Sequence, residues 1–240
     1  MSRLPPRCRR FTTSPDGLDT GAPPGELSPA PMSMYLPRTF AVSAPAHLRR
    51  FLDEHPFAAI LAAHDGDVAV AHAPFLLDPG ETVGRVRLHL ARANPMAALA
   101  VEGAGLTLLV QGPDAYVSAA WYGEPSRQVP TWNYAVVRLR VRVERRLEGD
   151  ALRDLLGEIA ARFEGDDPAW SLATLSPEAL AAMLPHIIGL SLVVEEAEGK
   201  FKVSQNRSHD DQARVASALT DRGRPDDLAL ARWMHALGVS

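Results

Sequence analysis

Apolar positions recur with two spacings along this chain, and the places where the spacing changes divide it into elements. Ser43 and Pro45 open a helix whose apolar residues Leu48, Phe51 and Leu52 follow at helical intervals, and Pro56 closes it. Two apolar runs, FAAILAA and VAVAHAPFLL, then flank His64-Asp65-Gly66-Asp67, which predicts a tight β-hairpin. Pro79-Gly80 marks a further turn, and RVRLHLA reads as the next strand. Asn94-Pro95 opens a short Ala/Leu helix reaching about Val101, broken by Gly103 to Gly105. LTLLVQG and AYVSAAWY read as two more strands.

From Val137, apolar residues alternate with arginine, the period of an antiparallel strand with one wet face. Amphipathic helices are expected over 150–163 and 177–184. The strand IIGLSLVVEEAEG and the segment KFKVSQNRS follow, and helix resumes near Asp210 with a break at Gly223-Arg224-Pro225. About six strands joined by short turns, without βαβ alternation, predict an α+β fold: a closed or split antiparallel barrel with inserted and C-terminal helices.

Residues 1–33 carry no such pattern. They are dense in Pro, Gly, Ser and Arg and are expected to form a disordered extension ahead of Met34. They also lack the apolar centre of a secretory signal. The structured domain is expected over 34–220, with 221–240 as a helical tail.

Composition narrows the function. Among 240 residues there is one cysteine, Cys8, which excludes a disulfide framework and paired-cysteine zinc sites. The net charge of −4 offers no general attraction to nucleic acid, and no apolar run approaches the ~20 residues that span a bilayer. A soluble cytoplasmic protein is expected. Of 25 basic residues only Lys200 and Lys202 are lysine, so arginine is the default cation here. Arg138, Arg140 and Arg142 share one strand face, read as a solvated barrel exterior.

Familiar catalytic signatures are missing. Gly103-Ala104-Gly105 lacks the third glycine and the helix of a dinucleotide loop, and there is no P-loop, zincin or hydrolase motif. His72 and His89, alone on strands, are read as structural before metal-binding, so no metal site is expected. Three runs do carry candidate chemistry. Arg92 followed by Asn94-Pro95 offers either an anion site or a capped helix beside a solvated arginine. Trp132, Asn133 and Tyr134, in VPTWNY, could stack on a flat heteroaromatic ring and read its edge, or simply fill a core. Lys200 to Arg207 places Lys202, Gln205, Asn206 and Arg207 together as donors to an anion or carbonyl, or as a solvated turn.

Those runs, in this order, resemble the PaiB family, FMN-binding proteins described as negative transcriptional regulators of protease synthesis and sporulation. The resemblance covers about 34–220 through MYLPRTF, AHAPFLLD, LHLARANP, QGPDAYVSAAWY, VPTWNY and EGKFKVSQNR. It implies an FMN-binding split barrel, a homodimer with FMN in a cleft between subunits, and Arg92 and Asn94 at the FMN phosphate. It also implies cofactor roles for His72, His89, Trp132, Asn133, Tyr134, Lys202, Gln205, Asn206 and Arg207. Departures from the family pattern fall at Asp114, Ala119-Ala120, Arg138 and Met96-Ala97, expected to alter the cleft's rim. Three functions follow: an FMN-binding regulator, whose repression is indirect because no DNA-reading element is visible; a flavin-dependent oxidoreductase of unassigned catalytic residues; and a haem-binding barrel.

Overall fold

A computed structural model describes residues 34–165 and 170–239. The expectation for the N-terminal extension lies outside them, and the compact unit that is described begins at Met34. In chain order its elements are β1 (Ala41–Val42), α1 (Pro45–Glu54), β2 (Phe57–His64), β3 (Asp67–Leu77), β4 (Arg85–Ala91), α2 (Pro95–Leu99) and β5 (Gly105–Val117). Then come β6 (Thr131–Leu147), α3 (Gly149–Glu164), α4 (Pro177–Met183), β7 (Ile187–Lys202), α5 (His209–Arg222) and α6 (Pro225–Ala236).

The sheet is antiparallel throughout, in the order β1-β7-β4-β3-β2-β5-β6, and β6 pairs back to β7. That last pairing closes a six-stranded barrel with β1 as an outer rib. The 16-residue β7 makes closure possible: Arg85–Ala91 of β4 pairs with its first half on one edge, while β6 runs along the other from Gly189 to Lys202. Alternate residues point inward, so Ile60, Leu88, Leu108, Leu139 and Leu190 are fully buried and fill the barrel.

Local chemistry sets the corners. The β2–β3 turn takes positive φ at Asp65 (50°) and Gly66 (81°), the primed geometry that an Asp-Gly pair supports. Gly189 lets α3 lie against β7: a Cβ there would come within 2.9 Å of Leu147 and 3.2 Å of Leu152 and Leu155.

Several expectations need correction. LTLLVQG and AYV are one 13-residue strand with an irregularity between Gln111 and Asp114. It falls at Gly112-Pro113, where proline has no N–H for the ladder. Residues Ala119–Trp121 form a 3-10 turn capped by Ser118, not strand. KFK continues β7. Helix α1 is preceded by Ala44 rather than Ser43, with no side-chain cap.

The expected boundary at residue 220 does not detach a tail. Leu230, Trp233 and Met234 of α6 belong to the same apolar core as the barrel strands. A paired carboxylate ties this end down. Asp227, 1% exposed, accepts from Arg222 Nε at 2.6 Å and Nη2 at 2.5 Å, and Arg222 Nη1 donates to the Tyr116 carbonyl at 3.0 Å. The Arg222 guanidinium holds the Asp227 carboxyl below the usual carboxylate range. A lowered folded-state value means that this stabilisation is full above the unfolded pKa and disappears as pH falls through the folded one. Asp227→Asn should therefore cost about 2 kcal/mol near neutral pH. The gap between variant and wild type should narrow on acidification below about pH 4, as read by denaturant melts across pH. A gap constant down to the lowest pH that keeps the fold would contradict this account.

Candidate functional site

The barrel's outside separates the sequence-predicted residues into two groups and one isolated histidine. The first group lies where β6 begins and β7 ends. Register sets Tyr134 opposite Lys202 and Ala135 opposite Phe201. Strand alternation then turns Trp132 and Tyr134 outward and Asn133 inward.

Asn133 is 1% exposed, and its Nδ2 donates to Ser204 Oγ at 2.9 Å. It pins the turn after β7, in which Ser204 takes φ +72°. Gln205 closes the same turn: its Oε1 accepts from Val203 N at 2.8 Å and its Nε2 donates to the Phe201 carbonyl. Both amides thus hold the loop that presents their neighbours. Asn206 stands exposed at the tip. Arg207 stacks its guanidinium 4.7 Å from the Tyr122 ring centre and donates to Gln128 Oε1 at 2.6 Å.

The outward side chains make an aromatic and cationic patch. Trp132, 55% exposed, meets Tyr116 edge-to-face at 6.0 Å. Lys200 Nζ lies 5.2 Å from the Tyr35 ring centre and 5.5 Å from that of Tyr134. Lys202 Nζ donates to the Trp132 carbonyl at 2.6 Å and to Thr131 Oγ1. Partial burial, then Arg207 and Lys200, push the Lys202 ammonium below the usual lysine range. Lys200 therefore stands beside two aromatic rings, while Lys202 is tied to the backbone of Trp132. Tyr35 and Tyr116 are additions to the sequence reading; the place of Tyr116 opposite Trp132 follows only once the β5–β6 register is known.

The second group lies at the other end of β7, roughly 40 Å of strand away. Arg92 links the end of β4 to the segment before β7: Nε donates to the Pro185 carbonyl at 3.0 Å, and Nη2 to Glu148 Oε1 at 3.0 Å and the Ile187 carbonyl at 3.3 Å. Asn94 caps α2, accepting from Met96 N at 2.9 Å. That helix has five residues, so its dipole is small, and the cationic group beside it is Arg92, which is already ion-paired with Glu148. His89, outward on β4, lies beneath α3 and α4. Its Nδ1 is buried without a partner, and burial lowers its pKa.

His72 stands apart, exposed on β3 and stacked on Phe57 at 6.1 Å with a 17° angle between the rings. It belongs to a broad apolar outer face on β3, β2 and β5. Val68, Val70, Phe57, Ala59, Leu61 and Leu109 turn outward there, and Phe57, Val68 and Val70 are each more than half exposed.

The departures at Met96-Ala97 and Arg138 take a different meaning here. Met96 and Ala97 are buried at 1% and 4%, so they fill the core beneath α2 rather than a rim. Arg138, Arg140 and Arg142 lie on the barrel exterior, Arg140 and Arg142 exposed as expected and Arg138 partly covered, and each meets an acid across the ladder. Arg138 bonds Glu198 at 2.8 Å, Arg140 bonds Glu195 at 2.8 Å and Glu196 at 3.2 Å, and Arg142 bonds Glu195. Among the described residues no group of three or more His, Cys, Asp or Glu is placed to hold a metal ion, and no helix is long and apolar enough to cross a membrane.

Residues 34–196 match the family model described as a putative FMN-binding domain. The chain is 29% identical over 205 residues to the Bacillus subtilis protease synthase and sporulation protein PAI 2, covering 84% of this chain and 97% of that protein. An uncharacterized Emericella nidulans protein is 24% identical, covering 85% and 98%. Among solved structures, the FAD and heme binding protein from Mycobacterium smegmatis superposes with a TM-score of 0.53 at 20% identity, over 72% of this chain and 79% of that one. The flavocytochrome Anf3 from Azotobacter vinelandii gives 0.52 at 21% identity, over 72% and 75%. At these identities the two structures share the split-barrel fold with this chain.

Proposed function

Because the chain belongs to the FMN-binding-domain family, we propose that it binds FMN between two copies of itself and acts in the cytoplasm as a PaiB-like regulator without reading DNA directly. The observation that carries this reading is the separation of the two groups. Arg92 supplies a cation at one end of β7, and the Trp132–Lys202 patch supplies ring faces and donors at the other. A single barrel would have to bring together groups separated by roughly 40 Å of strand to close both onto one ligand. A symmetric pair need not, and the uncovered apolar face of β2, β3 and β5 supplies the kind of surface on which copies associate.

The residues fit the cofactor. Arg92 Nη1 has no hydrogen bond among the described residues and is free to take a phosphate oxygen. Trp132 offers an open ring face to a flat heterocycle. Lys202 has used two of its three donors, leaving one for a carbonyl. FMN, when bound, supplies reversible one- and two-electron transfer. The protein's own groups bind and orient it.

Indirect regulation fits the charge distribution. The net charge is −4, and the arginine row most suited to phosphates is paired with Glu195, Glu196 and Glu198. Binding of the purified protein to promoter DNA should be weak and unselective at physiological salt. Nanomolar, sequence-selective binding would restore direct repression.

The cofactor assignment is tested by titrating apo protein with FMN, FAD and riboflavin. FMN should bind best. Arg92→Ala should weaken FMN about tenfold and leave riboflavin nearly unchanged, since riboflavin has no phosphate. Equal loss for both would mean that Arg92 acts by linking β4 to the segment before β7; no loss for either would place the phosphate elsewhere. The visible spectrum, before and after NADH or NADPH, separates the remaining readings. Rapid bleaching of a flavin band identifies an oxidoreductase, and a Soret band identifies haem.

A further inference from the structure

We propose that the cavity between the barrel and the α3–α4 segment is a second ligand site, for a neutral aromatic molecule bearing one hydroxyl or carbonyl oxygen, separate from the flavin. The cavity holds about 340 Å³, within the range of small-molecule sites. Its floor is His89 of β4 and Ile187 of β7; its walls include Leu156 and Phe163 of α3, Trp170, and Met183 of α4.

Three features define the guest. Apolar side chains dominate the lining, and Phe163, Trp170 and Met183 keep 47%, 37% and 47% of their surface exposed around it. Large apolar groups gathered around a hollow leave uncovered surface that an apolar guest would remove from water. Two aromatic faces and a thioether favour a ring over an alkyl chain.

The floor asks for one polar contact. His89 Nδ1 is sealed even from water and bonded to nothing, one of two such side-chain atoms among the described residues, so the ring nitrogen that a guest can reach is Nε2. Burial lowers the pKa of its imidazole, so the ring is neutral at physiological pH. A hydroxyl can donate to a neutral imidazole or accept from it, so it suits either tautomer. The remaining ionisable lining group, Glu164, is exposed at the end of α3 and disfavours an anionic guest. That disfavours a flavin phosphate as the natural occupant, although the cavity adjoins the Arg92 group, whose Nη2 donates to the carbonyl of Ile187 on the cavity floor.

The probe is naphthol, with naphthalene as its counterpart lacking the oxygen. Full-length protein should bind naphthol, read by quenching of tryptophan fluorescence, and a Trp170→Phe variant should lose most of that signal while calorimetry still records binding. Ala160→Trp fills the cavity wall and should abolish binding of both probes. His89→Leu should remove a preference for naphthol over naphthalene of about three- to tenfold and still bind naphthalene. Saturating FMN should leave naphthol affinity unchanged. Displacement of naphthol by FMN would make the cavity part of the flavin site and overturn the proposal. So would absence of binding to wild type, or an unaltered probe preference in His89→Leu. Failure of FMN to bind, with naphthol binding intact, would overturn the flavin reading and leave this one standing.

Discussion

On the proposed pairing of two copies, Leu61→Arg is expected to leave the protein monomeric and to weaken FMN binding at least tenfold while leaving the fold intact. Leu61 points outward from β2 between Val70 of β3 and Thr107 of β5, within the uncovered apolar face. In a monomer an arginine there reaches water along its own stem and costs little. On pairing, each copy would carry its new guanidinium into an apolar contact without an acid to meet it. Truly unpaired buried charge costs several kcal/mol per ion, and symmetry doubles it, which corresponds to a loss of dimer of a hundredfold or more. If Arg92 and the Trp132–Lys202 patch come from different copies, FMN affinity falls with assembly. Light scattering, FMN titration and far-ultraviolet circular dichroism read the three outcomes. A variant that stays dimeric with native FMN affinity would move the interface elsewhere. A monomer that binds FMN as tightly as wild type would place the whole site in one chain.

What the sequence made legible follows the range of each interaction. The β2–β3 hairpin was readable because Asp65-Gly66 encodes its own turn. The outward placement of Trp132 and Tyr134, with Asn133 between them facing in, follows from strand period alone once β6 is recognised. What needed register was hidden. Arg138, Arg140 and Arg142 read as a solvated row, which holds for Arg140 and Arg142, but their pairing was hidden because the acids lie more than fifty residues on, opposite them only when β6 pairs with β7. The continuity of β5 was obscured by Gly112-Pro113, which reads locally as a break although the barrel carries the strand through it. The site was half legible for the same reason. Its residue types were visible, but His89 and Arg92 fall at the opposite end of β7 from Lys202, and nothing local to LHLARANP announces the α3–α4 roof over His89.

The C-terminal helix provides the largest expected effect on stability. Trp233→Ala should destabilise the protein by about 3–5 kcal/mol, a large part of the ~5–15 kcal/mol typical of a domain. The indole is 1% exposed, with Phe201 at 4.9 Å and Phe51 at 5.9 Å between ring centres, and the Arg50 guanidinium 4.7 Å from its ring centre. Phe201 sits on β7 two residues before the turn that Asn133 and Gln205 hold, so a void there loosens the support of the aromatic and cationic patch as well as the core. These neighbours are strand and helix residues held from both sides and cannot collapse into the space. The melting temperature should fall by about 10 °C, and FMN affinity should fall with it. Leu228→Ala, on the same helix but 37% exposed, should stay within about 0.5 kcal/mol of wild type. Thermal melts of the two variants decide the matter. A Trp233→Ala protein that melts with wild type would show α6 to be a dispensable appendage, whereas a loss confined to Trp233 makes it the element that seals the barrel beneath the aromatic and cationic patch.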